Sequence, residues 1–196
     1  MSTSSRYEPS PDAAGGVLYP LAVCLLVVGL LLGFALLPRL FKAQEPAMVG
    51  KASPDFSVPV VANAAQLPKA ADGSLPTSIS ISALKGKPVI LDFWATWCGP
   101  CNAEAPILDQ VAKKYADRGL VVIGVSQDDS PELPREWVKS RRVSYPLAFD
   151  SDRVSHFFDV ESLPTLVVLD RNGIVRAVRI GMTPSSEIQD LVEKVL

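Results

Sequence analysis

The sequence predicts an α/β domain in which helices cover a mixed central sheet, with one apolar segment ahead of it near the N-terminus. Three observations support this fold class. Buried-type strands alternate with helical segments in the middle of the chain, a two-residue hairpin signal follows them, and an amphipathic segment ends the chain. That order is typical of an α/β sandwich around a mixed sheet.

Length and composition limit the possible functions. The 196 residues have room for one ordinary domain and an appendage. The net charge of −2 gives no indication of a basic face, so no nucleic-acid partner is expected. The chain has three cysteines, and two of them lie three residues apart. A disulfide-stapled scaffold would need more, so these cysteines indicate chemistry or metal binding.

The N-terminal region predicts a disordered tail followed by a membrane anchor. Residues 1–16 are polar and contain small residues and prolines, whereas 17–37 carry no charged residue. As a helix the 21 residues would span about 31 Å, close to the roughly 30 Å of a bilayer's hydrocarbon core. A cleaved signal peptide would have a shorter apolar core behind a positively charged start, and Arg6 is the one basic residue there. We therefore expect one uncleaved transmembrane helix at 17–37.

Charge alone gives a weak indication of membrane orientation. Arg6 and the terminal amine lie on one side of the apolar segment, and Arg39, Lys42 and Lys51 follow on the other. The positive-inside tendency slightly favours a cytoplasmic C-terminal domain, so these residues leave the orientation open.

After the anchor, residues 38–54 are expected to form a tether to a domain at 55–196. The stretch 55–61 can form a short strand, and 62–76 is predicted as a loop from its Pro, Gly and Asp content. Residues 77–82 alternate polar and apolar side chains, which is typical of a half-exposed strand.

The rest of the domain alternates strands and helices. Further strands are predicted at 88–95, 119–126, 163–170 and 174–180, and helices at 99–118, 131–142, 154–158 and 183–196. The strands at 88–95 and 119–126 are nearly continuous apolar runs, as expected for burial on both faces. Asn172-Gly173 is a hairpin signal between the last two strands.

A Cys-Gly-Pro-Cys motif stands where the strand at 88–95 is followed by a helix. Disulfide exchange needs a thiolate nucleophile, and Cys98 at the start of a helix would lie beside unpaired N–H groups and the positive end of the helix dipole. Cys101, one turn later, is close enough to attack a mixed disulfide at Cys98. Pro100 breaks no hydrogen bond in a first helical turn.

Metal binding is the alternative for this cysteine pair. Zinc needs two more ligands, and the remaining candidates are Cys24, inside the apolar segment, and His156, which we interpret as an ordinary packed or exposed residue. A Cu(I) carrier that uses the two thiolates stays open. A CxxC next to a βαβ pattern favours redox chemistry, and neither a metal nor another cofactor is predicted.

Several segments resemble known thiol–disulfide proteins. VILDFWATWCGPC is similar to the active-site strand and turn of thioredoxins, and the wider pattern resembles the TlpA/ResA branch of the thioredoxin-like superfamily, which includes the CcmG/DsbE proteins of cytochrome c maturation. The matching pieces are GKASPDFSVP (50–59), LKGKPVILDFWATWCGPC (84–101), the Glu104–Pro106 spacing and LPTLVVLDRNGIV (163–175). The resemblance covers about residues 48–196.

This resemblance implies a thioredoxin-like fold with an N-terminal hairpin extension, a central insertion and a redox-active Cys98–Cys101 disulfide. It also implies a single-pass protein of a bacterial cell membrane, with its N-terminus in the cytoplasm and its catalytic domain on the periplasmic side. For orientation we prefer this implication to the small charge difference.

Two carboxylates are candidates for tuning the thiols. Asp92 interrupts an apolar strand six residues before Cys98, and burial would raise the pKa of its carboxyl. That suits a group that accepts the proton of Cys101, and thioredoxins carry an Asp at the matching position. Glu104 lies one turn beyond Cys101, where the resemblance to ResA-like proteins implies that it tunes the cysteines. Alternatively, Glu104 merely complements the helix N-terminus.

The remaining site residues are predicted to bind substrate. The resemblance implies a cis peptide bond before Pro164, with the backbone at Leu163 pairing with an extended substrate segment. The full set of predicted substrate-binding residues is Trp97, Gly99, Pro100, Leu163, Pro164, Thr165 and Gly181.

The function predicted from the sequence is a dithiol enzyme that reduces disulfides in partner proteins. The resemblance implies a membrane thiol carrier as its source of electrons and apocytochrome c, or an assembly factor for it, as substrate. A Cu(I) metallochaperone is the second class, although its Sco-type relatives use CxxxC spacing and a downstream His. A peroxidase is the third, and the Pro-Thr/Ser context of its reactive Cys is absent before Cys98.

Overall fold

The structure, a computed structural model, describes residues 18–40, 46–70, 72–150 and 154–196. The predicted tail at 1–16 lies outside the described residues. The chain divides into two units, Met1–Glu45 and Pro46–Leu196.

The first unit contains helix α1, Leu18–Leu40, which covers 23 residues. Among the helices of the described residues, none combines the length and apolarity needed to cross a membrane. The anchor at 17–37 stays a prediction, and Val17 lies outside the described residues.

The second unit is built on a sheet of seven strands in its described residues, in the order β2-β1-β5-β4-β3-β6-β7. The strands are β1 (Ser57–Ala62), β2 (Ser78–Ser80), β3 (Val89–Trp94), β4 (Val121–Ser126), β5 (Leu147–Phe149), β6 (Thr165–Leu169) and β7 (Val175–Ile180). The helices are α2 (Gly99–Tyr115), α3 (Glu132–Lys139), α4 (Val154–Phe157) and α5 (Ser185–Glu193). The sheet is mixed, because β3, β4 and β5 are parallel and the other pairs are antiparallel. The mixed sheet confirms the predicted α/β class.

Strand β3 lies at the centre of the domain and carries the site at its carboxyl end. All six of its residues are buried, because β4 and β6 pair with its two edges and side chains cover both of its faces. Its register sets Asp92 opposite Gly124 of β4 and Leu166 of β6.

At one edge of the sheet, β2 and β1 form the antiparallel pair that was expected as an N-terminal extension. β1 also pairs with β5. The strand β5 is missing from the sequence prediction, because its three residues are too few to show a period of two.

The domain begins earlier than its predicted start at residue 55. The N–H of Gly50 donates to the carbonyl of Val175, the N–H of Val175 donates to the carbonyl of Lys51, and Ala52 forms a bridge with Ile174. Residues 46–54, assigned to the tether from their composition, therefore belong to the domain. Their bonds to the β7 region join parts of the chain more than 100 residues apart, which local composition does not reveal.

The two faces of the sheet carry separate hydrophobic layers. Because side chains alternate along a strand, Ile90, Asp92 and Trp94 face one layer while Leu91 and Phe93 face the other. The first layer, here called the thiol layer, contains Ile90, Trp94, Cys98, Cys101, Leu108, Tyr145, Leu166 and Ile188. The second, the apolar layer, contains Phe56, Leu91, Phe93, Ile123, Val125, Phe158 and Val167.

Candidate active site

A short loop leads from β3 to the first turn of α2 and holds the two cysteines. Cys98 is the N-cap residue of α2, with an extended backbone, and Pro100 follows in the first turn. Cys98 and Cys101 form a disulfide with an S–S distance of 2.01 Å. The N–H of Cys101 donates to the Sγ of Cys98 over 3.2 Å. Helix α2 therefore directs an N–H group, as well as its positive end, at the sulfur of Cys98.

A buried carboxylate fixes the loop before the cysteines. Asp128 accepts hydrogen bonds from the N–H of Thr96 at 3.0 Å and from its hydroxyl at 2.7 Å. The hydroxyl of Ser126 donates to the other carboxylate oxygen of Asp128 at 2.7 Å. Hydrogen bonds to a charged acceptor are among the stronger ones in proteins, so Asp128 ties the β3–α2 loop to the end of β4.

A second link joins the same loop to α3. The amide nitrogen of Asn102 donates to the carbonyls of Thr96 at 3.0 Å and Cys98 at 2.8 Å. Its amide oxygen accepts a 2.7 Å hydrogen bond from the indole N–H of Trp137. The ring of Trp137 packs against the ring of Trp94, and the two ring centroids lie 4.5 Å apart. The loop backbone is therefore held from two sides.

Asp92 faces the thiol layer and is 3% exposed. Burial raises the pKa of its carboxyl well above the usual value, and the nearby Glu104 raises it further, whereas a hydrogen bond from the hydroxyl of Tyr145 acts in the opposite direction. Among the described residues, its Oδ1 atom has no hydrogen-bond partner. The structure thus gives the Asp92 carboxyl the burial and the free oxygen that a proton acceptor needs.

Glu104 is also buried, with 1% of its surface exposed. Its Oε1 atom accepts a 2.7 Å hydrogen bond from the N–H of Thr183, and Oε2 has no hydrogen-bond partner within the described parts of the chain. Burial raises the pKa of Glu104, while the bonds from Thr183 lower it. Whether Glu104 tunes the thiols or complements the helix N-terminus stays a prediction.

Pro164 lies beside the end of β3, because Phe93 of β3 pairs with Thr165 at the start of β6. The Leu163–Pro164 bond is cis, as the resemblance implied. The carbonyl of Pro164 accepts a 2.8 Å hydrogen bond from the N–H of Gly181, which has a φ of 84°. The hydroxyl of Thr165 donates to the carbonyl of Ser162 at 2.7 Å, which supports the turn, and the part of Thr165 in binding substrate stays a prediction. The structure therefore brings together the end of β3, the Pro164–Thr165 segment and Gly181.

The other predicted substrate-binding residues lie at the surface. Trp97 is 71% exposed, Gly99 and Pro100 are exposed in the first turn of α2, and Leu163 is half-buried. This exposure excludes a core role for Trp97. Their part in binding substrate stays a prediction.

A structural zinc site would need ligands beyond the two cysteines, whereas a Cu(I) carrier could use the pair alone and stays open. Within the described residues there is no group of three or more His, Cys, Asp or Glu side chains arranged to hold a metal ion. His156 is exposed and lies in α4.

Sequence reasoning missed Asp128, Asn102, Tyr145 and Thr183. A signal existed for Asp128: it follows a buried strand parallel to β3, and the carboxyl ends of parallel strands meet at the same edge of a sheet. Asn102 had a local signal of another kind, because it lies one turn after Cys98 on α2. Tyr145 and Thr183 approach the site from segments that have no motif.

With the fold and the cysteine pair together, the chemistry of the site is disulfide exchange, and the class of protein is a thiol–disulfide oxidoreductase with a thioredoxin-like fold. The chain belongs to the AhpC/TSA family, which it matches over residues 49–178.

Known proteins agree with this class. The chain is 28% identical over 180 residues to a thiol-disulfide oxidoreductase ResA of Bacillus cereus, covering 91% of this chain and 96% of that protein. It is 30% identical over 167 residues to ResA of Bacillus subtilis (strain 168), covering 85% and 86%. A Chlorobium tepidum structure assigned as the thiol:disulfide interchange protein DsbE superposes with a TM-score of 0.64 at 27% identity, covering 75% of this chain and 96% of that one. The enzyme is thus of the ResA/DsbE type.

Proposed function

We propose that the enzyme reduces disulfides in partner proteins outside the cytoplasm, with Cys98 as the nucleophile and Cys101 as the resolving thiol. The observation that carries this proposal is the Cys98–Cys101 disulfide at the start of α2, where the N–H of Cys101 donates to the Cys98 sulfur. The Gly-Pro pair between the cysteines and the resemblance to the TlpA/ResA branch support reduction rather than oxidation.

In the first step, the Cys98 thiolate of the dithiol form attacks one sulfur of the substrate disulfide. A bond forms between Cys98 and that sulfur, and the other substrate sulfur leaves as a thiolate that takes a proton from water. The helix N-terminus stabilises the attacking anion before the reaction.

In the second step, Cys101 passes its proton to the Asp92 carboxylate and attacks the Cys98 sulfur. The mixed disulfide breaks, the second substrate sulfur leaves as a thiolate and is protonated, and Cys98–Cys101 forms. The substrate gains two electrons and the enzyme loses two, so another dithiol must reduce the enzyme before the next cycle. We propose a membrane thiol carrier for that role.

The exposed surface around Cys98 suits an extended polypeptide. Backbone groups at Leu163, beside cis-Pro164, can pair with a substrate segment, and the exposed ring of Trp97 offers apolar contact area. Gly181, whose N–H binds the Pro164 carbonyl, has no side chain to obstruct that segment.

The location and the pathway are further parts of the proposal. The uncharged run at 17–37 supports a single-pass anchor in a bacterial cell membrane. The resemblance supports a periplasmic catalytic domain and a substrate in cytochrome c maturation, either apocytochrome c or an assembly factor. Fusing an export-dependent phosphatase to the C-terminus tests the orientation: it should be active, and activity confined to a cytoplasmic reporter at the same position would contradict the proposal.

Trapping is the most direct test of the activity. The Cys101→Ser chain, expressed in cells, should accumulate mixed disulfides with substrate proteins through Cys98, and reductant should release them. The matched control, Cys98→Ser with Cys101→Ser, should trap nothing, and both chains carry Cys24→Ser to remove the exposed free thiol of α1. If the Cys101→Ser chain remained free of partners in cells rich in disulfide-bonded proteins, the proposed function would be contradicted.

A further inference from the structure

Strand β4 has a glycine directly opposite Asp92. Gly124 is the register partner of Asp92, and both residues face the thiol layer. A Cβ atom at Gly124 would lie 2.8 Å from Cδ2 of Leu147, 2.9 Å from Nε1 of Trp94 and 3.1 Å from Cε2 of Tyr145. Real Cβ atoms essentially never come within 3.0 Å of another atom, as the first two distances would require, so any larger residue would force Leu147 and Trp94 to move. The ring of Tyr145 occupies part of the space beside Gly124.

Tyr145 lies beside Asp92. The tyrosine is 2% exposed, and its ring packs against Gly124 opposite Asp92, so that its hydroxyl can donate to the Asp92 carboxyl and lower the pKa of that group. Burial raises the pKa of Tyr145 well above its usual value, and Asp92, Asp109 and Glu104 raise it further, so the hydroxyl stays protonated and remains a donor. One carboxyl oxygen, Oδ1, has no partner in the described part of the chain.

The surroundings of Asp92 disfavour its ionised form, apart from the Tyr145 hydroxyl. Glu104 faces Asp92 from α2 and disfavours its ionised form, as does burial. Tyr145 is the group that favours the ionised form, and no Lys or Arg among the described residues is found to assist it. A carboxylate without such a donor would take up a proton more readily and could no longer accept one.

We propose that Tyr145, in the space left by Gly124, is a positioning residue that orients the Asp92 carboxylate and holds it ionised, so that Oδ1 accepts the proton of Cys101 when the mixed disulfide is resolved. This inference rests on the proposed function, because it assigns a residue to the second step. The balance of that step is unchanged: one proton moves from the Cys101 thiol to Asp92, while Tyr145 keeps its own proton.

The test compares Tyr145→Phe with Tyr115→Phe, both in a Cys24→Ser background. Each variant removes the hydroxyl of a tyrosine that is 2% exposed and interacts with a carboxylate. Tyr115 interacts with Glu193, away from the cysteines, which makes it the matched control. Because Phe keeps the ring, both variants should fold.

The reduced proteins are mixed with dithiobis(nitrobenzoate), an aromatic disulfide, over a range of pH. A first nitrothiolate is released when Cys98 attacks, and a second when Cys101 resolves the mixed disulfide. In Tyr145→Phe, the pH midpoint of the second phase should rise by about one unit, which is a tenfold slower release below the midpoint. Its first phase, and both phases of Tyr115→Phe, should match the parent.

A second readout does not depend on turnover. Carbon-13 NMR of the Asp92 carboxyl in the oxidised protein should show a titration midpoint that is higher in Tyr145→Phe than in the parent. In an Asp92→Asn background, adding Tyr145→Phe should cause no further change in the second phase, since its effect runs through Asp92.

Different results would refute different claims. If the parent and Tyr145→Phe gave superimposable second phases, the role of Tyr145 would be refuted, whatever the NMR titration showed. If the parent released no second nitrothiolate, the proposed function would fail, and this inference with it.

Discussion

The two layers on either side of the central sheet are similar in size but differ in what they bury. The apolar layer joins aliphatic side chains to rings such as Phe93 and Phe158, whose centroids lie 5.7 Å apart. The thiol layer contains the disulfide, Asp92 and Tyr145. The buried side-chain atoms found without a partner in the described residues belong to Asp92, Trp94 and Glu104, which border the thiol layer.

This difference separates stability from chemistry within one fold. An unpartnered buried polar group costs stability, so such groups persist where they have a use. We therefore expect substitutions in the apolar layer to change the free energy of unfolding, and those in the thiol layer to change reactivity and its pH dependence.

The largest expected effect is the loss of the nucleophile. Cys98→Ser should lower reduction of a protein disulfide to the uncatalysed rate, because a hydroxyl does not ionise near neutral pH as a thiol does. An insulin-reduction assay measures this. Cys24→Ser removes the exposed free thiol of α1 and should keep full activity. Equal losses in both variants would contradict the assignment of the site.

Truncation in the apolar layer should have the largest effect on stability. Phe93 is fully buried, so Phe93→Ala should reduce the free energy of unfolding by about 3–5 kcal/mol, as measured by denaturant titration of the oxidised protein. The folded fraction should keep the parent's pH profile of thiol reactivity. A shifted profile would show that the two layers are not separate.

Removing the charge of Asp92 should increase the free energy of unfolding, whereas truncation of Phe93 lowers it. Because the pKa of Asp92 is raised on folding, its contribution to stability is complete below about pH 4 and is lost as pH rises through the folded value. Asp92→Asn should therefore be more stable than the parent at neutral pH, by about 1–3 kcal/mol, and resolve mixed disulfides more slowly. Unfolding measured against pH checks this. If the stability difference between Asp92→Asn and the parent did not increase with pH, the effect of burial on Asp92 would be contradicted.

The smallest expected effect concerns Asp128. Asp128→Asn keeps the shape but weakens the bonds to Thr96 and Ser126, which should cost about 1–2 kcal/mol of unfolding free energy and slow the attack by Cys98 modestly. The exposed neighbour Asp129 provides the control, and Asp129→Asn should resemble the parent. Identical behaviour of the two variants would show that Asp128 does not stabilise the β3–α2 loop.

Much of this arrangement could be predicted from the sequence, because its signals are local. The buried run of β3 predicts a central strand, the motif after it predicts a helix that starts at the cysteines, and an Asp within the apolar run predicts a buried carboxylate. The alternation of strands and helices predicts the mixed sheet.

The remaining features depend on contacts between distant residues. Thr183 binds Glu104 across 79 positions, and Asp128 binds Thr96 across 32. The tyrosine beside Asp92 could not be predicted either, because Gly124 makes room for it only once β3 and β4 pair in register. Residues 46–54 resemble a linker in composition and join the domain through backbone bonds to the β7 region.

The central claim is that the start of α2 keeps Cys98 largely ionised near neutral pH. Alkylation by iodoacetamide, followed against pH in a chain with Cys24→Ser and Cys101→Ser, reports the thiolate of Cys98 alone. We therefore expect half-maximal reactivity at or below about pH 7, compared with about 8.5, the ordinary value for a free thiol. A midpoint at the ordinary value, or a thiol inert at every pH, would contradict it.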